Sequence, residues 1–454
     1  MTLRTGALIF ILCVQSLVGQ ARPTWRQSLN TANMLNRLDS PEAEAAYGIA
    51  AMGAGAENDG GAALALVRND LSSYLLDHGR HGEAAVLLQQ VLTVQEGDPR
   101  TAPRELAATL CNLGLCYRQQ GRHTDAQMVH KRAVQHLEDT LGPRHADLMP
   151  ALTRLAWFQL EAGRIEEAAR LLARALRIGQ ASYGANDSRL GAVLSELSEL
   201  QLIRADPGQA RRSAARALPM LDDAYGPDSI EVARALDRMA RADFALGRIS
   251  QARESWAHSL KILETRLGPN ADDTMAVLLE MAHVAYLERR YVEAEQTARR
   301  VSERAVRPPH ASTILSASLQ TLALVYVAQK RNSDASSAFQ RSLEVAESTL
   351  PPSSLQVVAC LAGYARFLAT TGNLSNAEPV YRRAIEALDG VSTVDGSNHG
   401  PLLNLVEEQA TVLRKLKRKP EARELDKRAR ALRASGIVNA NAHTVDIEAL
   451  KSRR

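Results

Sequence analysis

A short turn motif returns along this chain at a nearly constant interval, and that repetition limits the fold more than any other feature. It reads Gly79-Arg80-His81-Gly82-Glu83-Ala84, then Gly121-Arg122-His123-Thr124-Asp125-Ala126, Gly163-Arg164-Ile165-Glu166-Glu167-Ala168 and Gly247-Arg248-Ile249-Ser250-Gln251-Ala252. Its closing alanine falls at 84, 126, 168, 210, 252, 294, 335, 377 and 422, at intervals of 42 residues apart from one of 41 and one of 45. A fixed period of this length marks a chain that stacks one small structural unit many times. By length alone, 454 residues suggest about three domains. The period replaces them with one elongated domain that grows by adding neighbours.

Two more columns run in register. Twelve residues before each alanine stand Ser72, Gly114, Ala156, Ser198, Ala240, Ala282, Ala323, Ala365 and Ala410; seven residues after stand Val91, Ala133, Ala175, Ala217, Ser259, Val301, Ser342, Ala384 and Ala429. Gly-Pro recurs at 142–143, 226–227 and 268–269, with Gly184-Ala185 in the same place. Apolar residues on both sides of the Gly-Arg turn have helical spacing, as in Leu106, Leu110, Leu113, Tyr117 and again in Leu171, Leu172, Ala175, Leu176. Each unit is therefore two helices. Glycine ends the first, where a left-handed residue is needed, and Gly-Pro ends the second. The small column lets the two axes approach to the short end of 8–10 Å.

These columns resemble the tetratricopeptide repeat, which places small residues at its positions 8 and 27 and alanine at position 20. The 42-residue period with Leu-Gly-Pro between units looks like the longer variant of kinesin light chains and many bacterial proteins. Leu110-Cys111-Asn112-Leu113-Gly114-Leu115-Cys116-Tyr117 through Gly121-Arg122 is the closest single match. The resemblance implies an all-α right-handed α-solenoid superhelix of about nine helical hairpins over residues 62–434. Residues 22–61 would be an N-terminal capping segment and loop, with helices over Trp25–Leu38 and Pro41–Met52, and 435–454 a tail. Some turns depart from the pattern: Asp206-Pro207-Gly208, Arg289-Arg290 and Lys330-Arg331. The stack is expected to be less regular after about residue 305.

Residues 1–21 read as a secretory signal. Arg4 precedes the 14-residue apolar run from Gly6 to Gly19, too short to span a bilayer. Small residues before the break favour cleavage after Ala21, with Gly19 second, and the mature chain is then expected in the periplasm or outside the cell. Four cysteines exclude a disulfide-rich scaffold. The formal charge of +4 is too small to point to nucleic acid. It is also uneven, since residues 411–454 hold 13 basic against 5 acidic residues and the remainder 42 against 46. The basic helix read over Leu413–Leu432 either gives the terminal unit its polar outer face or meets an anionic surface.

Nothing in the chain has the pattern of an enzyme. No G-x-S-x-G, H-E-x-x-H, P-loop or G-x-G-x-x-G sequence occurs, and no catalytic residue, cofactor or metal is expected. His123, His130, His136 and His145 lack the spacing of zinc ligands and read as solvated or partly packed. Cys111, Cys116 and Cys360 read as small packing residues.

The resemblance implies that the first helix of each hairpin lines a concave groove. The candidate groove residues are Asn112, Arg154, Trp157, Glu196, Glu199, Asp237, Arg238, Arg241, Phe244, Glu280, His283 and Tyr286. Among them Arg154, Glu196, Arg238 and Glu280 are spaced by 42 and alternate in sign. They form either a ladder along the stack or a set of independent solvated charges. Trp157, Phe244 and Tyr286 either anchor a peptide or pack within the stack. The lysine and asparagine clamp of chaperone-binding relatives is absent, since its places hold Cys111/Leu115, Thr153/Trp157 and Asp237/Arg241. The expected function is a non-enzymatic scaffold for a protein or peptide partner, by a monomer or weak homo-oligomer. The alternative is an adaptor subunit held at the membrane by an uncleaved signal segment.

Overall fold

A computed structural model describes residues 24–37, 40, 42–57, 61–161, 164–305, 311–350, 352, 354–389 and 399–434. The signal segment, the tail and most of the 389–400 loop lie outside them. All the regular elements described are helical. The chain divides into two compact units, residues 1–185 and 186–454.

In the first unit, α1 (Trp25–Arg37) and α2 (Ala43–Ala54) precede three repeat hairpins. These are α3 (Ala62–Asp77) with α4 (His81–Gly97), α5 (Pro103–Gln119) with α6 (His123–Leu141), and α7 (Leu148–Glu161) with α8 (Ile165–Tyr183). The second unit holds six hairpins: α9 (Gly191–Ile203) with α10 (Pro207–Tyr225), α11 (Ile230–Ala245) with α12 (Ile249–Arg266), α13 (Asp272–Leu287) with α14 (Tyr291–Arg304), α15 (Ala311–Ala328) with α16 (Asn332–Thr349), α17 (Leu355–Thr370) with α18 (Leu374–Asp389), and α19 (His399–Lys415) with α20 (Lys419–Ala434). Each unit is thus a segment of an all-α helical-repeat solenoid. The basic stretch read as one helix over Leu413–Leu432 is two, because a ninth turn at Lys417-Arg418 divides it.

The Gly-Arg motif is a helix stop. The residue at the glycine position is left-handed, and the next backbone N–H reaches back five residues, as from Arg122 to the Tyr117 carbonyl and from Arg331 to Tyr326, both at 2.8 Å. Units that lack glycine keep this geometry with Ala205, Arg289, Lys330 and Lys417 at φ of 55–62°. The irregularity expected from their sequences is therefore not in the turn itself. The arginine that follows begins the second helix and pairs with the acid three residues on, as in Arg80–Glu83 and Arg122–Asp125, both at 2.7 Å. This accounts for the whole Gly-Arg-x-x-acid-Ala signature. At the other end of the hairpin Gly142, Gly184 and Gly226 have φ of 87–92° and ψ of 158–163°, a region open essentially to glycine alone. Gly184 can therefore do without the proline.

The small columns lie where paired helices touch. Ser72, Ala156, Ser198, Ala240, Ala282, Ala323, Ala365 and Ala410 are all fully buried. Three column serines bond the facing helix, Ser198 Oγ donating to the Ala210 carbonyl and Ser259 Oγ to Ala233, each at 2.8 Å, and Ser342 Oγ to Ser316, whereas Ser72 Oγ turns back to Asn69 of its own helix. Four residues after the repeat alanine comes the bulky core position, with Leu88, His130, Leu172, Trp256, Phe339 and Tyr381, each at most 2% exposed. His130 was expected to be solvated or partly packed. Instead it is buried outright, and both its ring nitrogens lack partners. Burial, with Arg154 and Arg118 nearby, pushes its pKa down to about 4.

Candidate functional site

The repeat places equivalent residues of successive hairpins side by side. On α9, α11 and α13 this aligns Glu196, Arg238 and Glu280 in one row and Glu199, Arg241 and His283 in the next. The rows are three residues apart, so they share a helix face, with Phe244 and Tyr286 one turn further along. The structure brings all of these together in the second unit, and Asp237 with them.

Arg238 is the centre of the cluster, with a side chain only 11% exposed. It meets Glu196 at 2.9 Å and Glu199 at 3.5 Å, and also donates to Ser195 Oγ. Arg241 meets Glu199 at 2.7 Å. Burial pushes the Glu199 carboxyl up, but Arg241 and Arg238 together hold it below the usual carboxylate range. The predicted ladder is therefore changed. Arg238 does not continue to Glu280, because Glu199, one turn from Glu196, takes its second bond. Among the described residues Glu280 and Asp237 make no ion pair within 4.0 Å. Burial raises both, to about 6 for Asp237, although Arg241 opposes the shift. Asp237 instead accepts a hydrogen bond from the Trp256 indole at 2.8 Å. Rings continue from there through Trp256–Phe244, Phe244–His283 and His283–Tyr286, with centroids 6.0–6.4 Å apart. Phe244 and Tyr286 are thus packed on other rings along one edge while staying half-buried. Burial also lowers the His283 pKa.

The other three candidates belong to the first unit. Asn112 and Arg154 line a cavity of about 580 Å³, and Trp157 lies under the Arg118 guanidinium at 4.3 Å. Thr153 turns back to the Met149 carbonyl and takes no part in a surface. Among the described residues no three His, Cys, Asp or Glu side chains are grouped to hold a metal ion. The described cysteines are buried, and burial pushes the Cys111 thiol to about 11 and the Cys116 thiol to about 12.

A second set of charges escaped the sequence reading. On the second helices, Arg174 meets Glu138 at 2.5 Å and Arg300 meets Glu264 at 3.1 Å, while Arg132–Glu96 and Arg383–Glu347 repeat the pattern. The signal was present: arginine six residues after an alanine of the column, and glutamate twelve after the one before. Five basic residues of the C-terminal stretch are also paired, in Arg414–Asp426, Arg418–Glu378, Lys427–Glu424, Arg428–Asp389 and Arg433–Glu407.

No curated protein matches the chain. Among solved structures, a Rap protein complexed with competence and sporulation factor is similar over 82% of this chain and 98% of its own, with a TM-score of 0.55 at 12% identity. BtubC (BKLC) from P. vanneervenii matches over 53% of this chain and 89% of its own, with a TM-score of 0.38 at 17% identity. Pseudomonas aeruginosa pilF matches over 57% and 99%, with a TM-score of 0.37 at 22% identity. The tetratricopeptide repeat family model matches residues 105–181 and 313–390, one stretch in each unit. With the small columns, the left-handed turns and the paired helices, the family-model match makes these two stretches tetratricopeptide repeats.

Proposed function

We propose that this chain is a non-enzymatic scaffold that holds a protein or peptide partner on the first-helix faces of its hairpins. The repeat architecture is that of a protein–protein interaction scaffold. The finer reading rests on the charged and aromatic cluster of α9, α11 and α13. Ion pairs withdrawn from water gain little for folding, since desolvation offsets their attraction. A cluster of them beside half-buried rings on one face is instead a surface suited to recognition. The Rap structure, solved with a bound factor, is a precedent for this fold class holding a partner. Nucleic acid and cofactors have no place in the reading.

The test is partner capture by the wild-type chain and by a Trp157→Ala/Arg238→Ala/Arg241→Ala variant, with helicity checked by circular dichroism. The variant is expected to lose the partner while keeping its helices. Equal recovery by both proteins would place the site elsewhere.

The same proposal includes export to the periplasm or outside the cell. It is supported by the basic start, the 14-residue apolar run and the small residues before Arg22. N-terminal sequencing of the exported product should begin at Arg22. A product beginning at Met1 would favour the membrane-tethered adaptor.

A further inference from the structure

The second helix of the first hairpin breaks the charge pattern of its counterparts. Aligning Ala43 of α2 with the column alanines puts Tyr47 at the bulky core position and Ala50 in the small column, and all three are at most 1% exposed. In this register Ile49 stands where α6, α8, α14 and α18 carry Arg132, Arg174, Arg300 and Arg383. Each of those arginines reaches a glutamate of the preceding second helix. Ile49 therefore lies on the side where a preceding hairpin would stand.

The rest of that face matches it. Ala45, Gly48, Ile49 and Met52 share one exposed side of α2, opposite the buried Ala43, Tyr47, Ala50 and Ala54, and the helix packs against α1 and α3. Ile49 is 47% exposed and Met52 73%. A Cβ on Gly48 would meet nothing within 4 Å. A terminal unit of a stack needs a polar outer face. The last helix has one, since α20 exposes Arg423, Lys427 and Arg430. On α2 an apolar face meets the water instead.

This face is complementary to itself. When two copies of α2 pack antiparallel about a two-fold axis between Gly48 and Ile49, Gly48 of each copy faces Ile49 of the other and Ala45 faces Met52. Every large side chain then meets a small one, and the same patch serves both copies. The charges agree with this arrangement. Glu42 precedes the N-terminal end of the face. At the other end Gly53 lies against Trp25, and the Arg26 guanidinium stacks over the Trp25 ring at 4.8 Å. Among the described residues neither Arg26 nor Glu42 has an ion pair within 4.0 Å. The two-fold brings the Arg26 end of one copy over the Glu42 end of the other. Docking on α20 would instead bury arginine and lysine heads against apolar side chains, which is costly. With cleavage after Ala21, as proposed above, only Arg22 and Pro23 precede Thr24, too little chain to cover the face.

We propose that the exposed face of α2 binds the same face of a second copy of this chain, giving a closed head-to-head dimer through the first hairpins. One helix pair is smaller than the roughly 1,000 Å² that a lasting interface buries. The dimer is therefore weak, with a dissociation constant on the order of 10–100 µM.

The test is sedimentation equilibrium of the exported product from about 5 to about 500 µM, with N-terminal sequencing of the same sample to read the export proposal separately. A monomer–dimer equilibrium is expected. Ile49→Arg, which gives α2 the side chain of its counterparts, should weaken the dimer at least tenfold. Gly48→Leu adds apolar surface but fills the space that Ile49 of the other copy needs. It should weaken the dimer at least fivefold, whereas a face that is only adhesive would associate more strongly. Both positions are exposed, and circular dichroism should show the helices unchanged. A monomer throughout the range, a dimer untouched by Ile49→Arg, or one tightened by Gly48→Leu would overturn the proposal.

Discussion

His130 and Trp256 occupy the same place in their repeats, four residues after the column alanine, and each brings a polar ring into the core. Trp256 satisfies its N–H on Asp237, a residue of α11 that also belongs to the charged cluster. His130 has no such partner. The residue equivalent to Asp237 in its own hairpin is Cys111, which offers neither a charge nor a good acceptor. The two also differ beneath the ring. A Cβ on Gly114 would lie 2.5 Å from His130 Nε2, so that hairpin needs glycine in the small column, whereas the Trp256 hairpin carries Ala240. One repeat position is thus used to tie core to groove in the second unit, and is left buried and unpaired among the described residues in the first.

Breaking the satisfied member should have the largest effect. Trp256→Ala removes a fully buried indole and is expected to cost about 3–5 kcal/mol, read as a lower urea midpoint. Trp256→Phe keeps most of the ring but removes the N–H, and should cost about 1–2 kcal/mol. If Trp256→Phe cost nothing, the Asp237 bond would contribute nothing.

His130 sharpens the comparison through pH. Its pKa falls from 6.5 to about 4 on folding, so between these values the unfolded chain binds the proton and the folded chain does not. Its contribution should be fully present above pH 6.5 and be lost as the pH drops towards 4, about 3 kcal/mol at 1.36 kcal/mol per unit, against the opposite trend of Asp237, which takes up a proton in the folded chain below about pH 6. His130→Leu copies Leu88 and Leu172 at the same position. It should abolish that slope and raise stability at pH 7 by about 1–2 kcal/mol, since no buried polar atom is left without a partner. A slope unchanged in His130→Leu would assign the acid sensitivity to other groups.

The two rings also show what the sequence could tell. The period, the small columns and the turns are local and recur nine times, so helices and their pairing were readable from spacing alone. That His130 is core was readable too, because the columns put it in line with Leu88 and Leu172, but its residue type argued for water and won. The 42-residue spacing placed Arg238 beside Glu196. It could not say which of two glutamates, one turn apart, Arg238 would also take, since that depends on side-chain reach. The cavity of the first unit was invisible, because it arises from what Ala65, Ala107 and Ala151 leave empty across three hairpins.

The smallest effect separates the turns of the two units. In the first unit Gly79 and Gly121 hold the left-handed position, while in the second Gly247 and Gly372 share it with Ala205, Arg289, Lys330 and Lys417, which hold it with a Cβ present. A side chain in this conformation costs roughly 1–2 kcal/mol, part of which glycine returns through the greater freedom of the unfolded chain. Lys330→Gly should therefore stabilise the chain by about 0.5–1 kcal/mol, and Gly121→Ala should destabilise it by a similar amount. Both are exposed turn positions, so burial does not confuse the reading. If Lys330→Gly lowered the urea midpoint instead, the Lys330 side chain would be supplying a contact worth more than its strain. The departures from glycine in the second unit would then be adaptations and not tolerated defects.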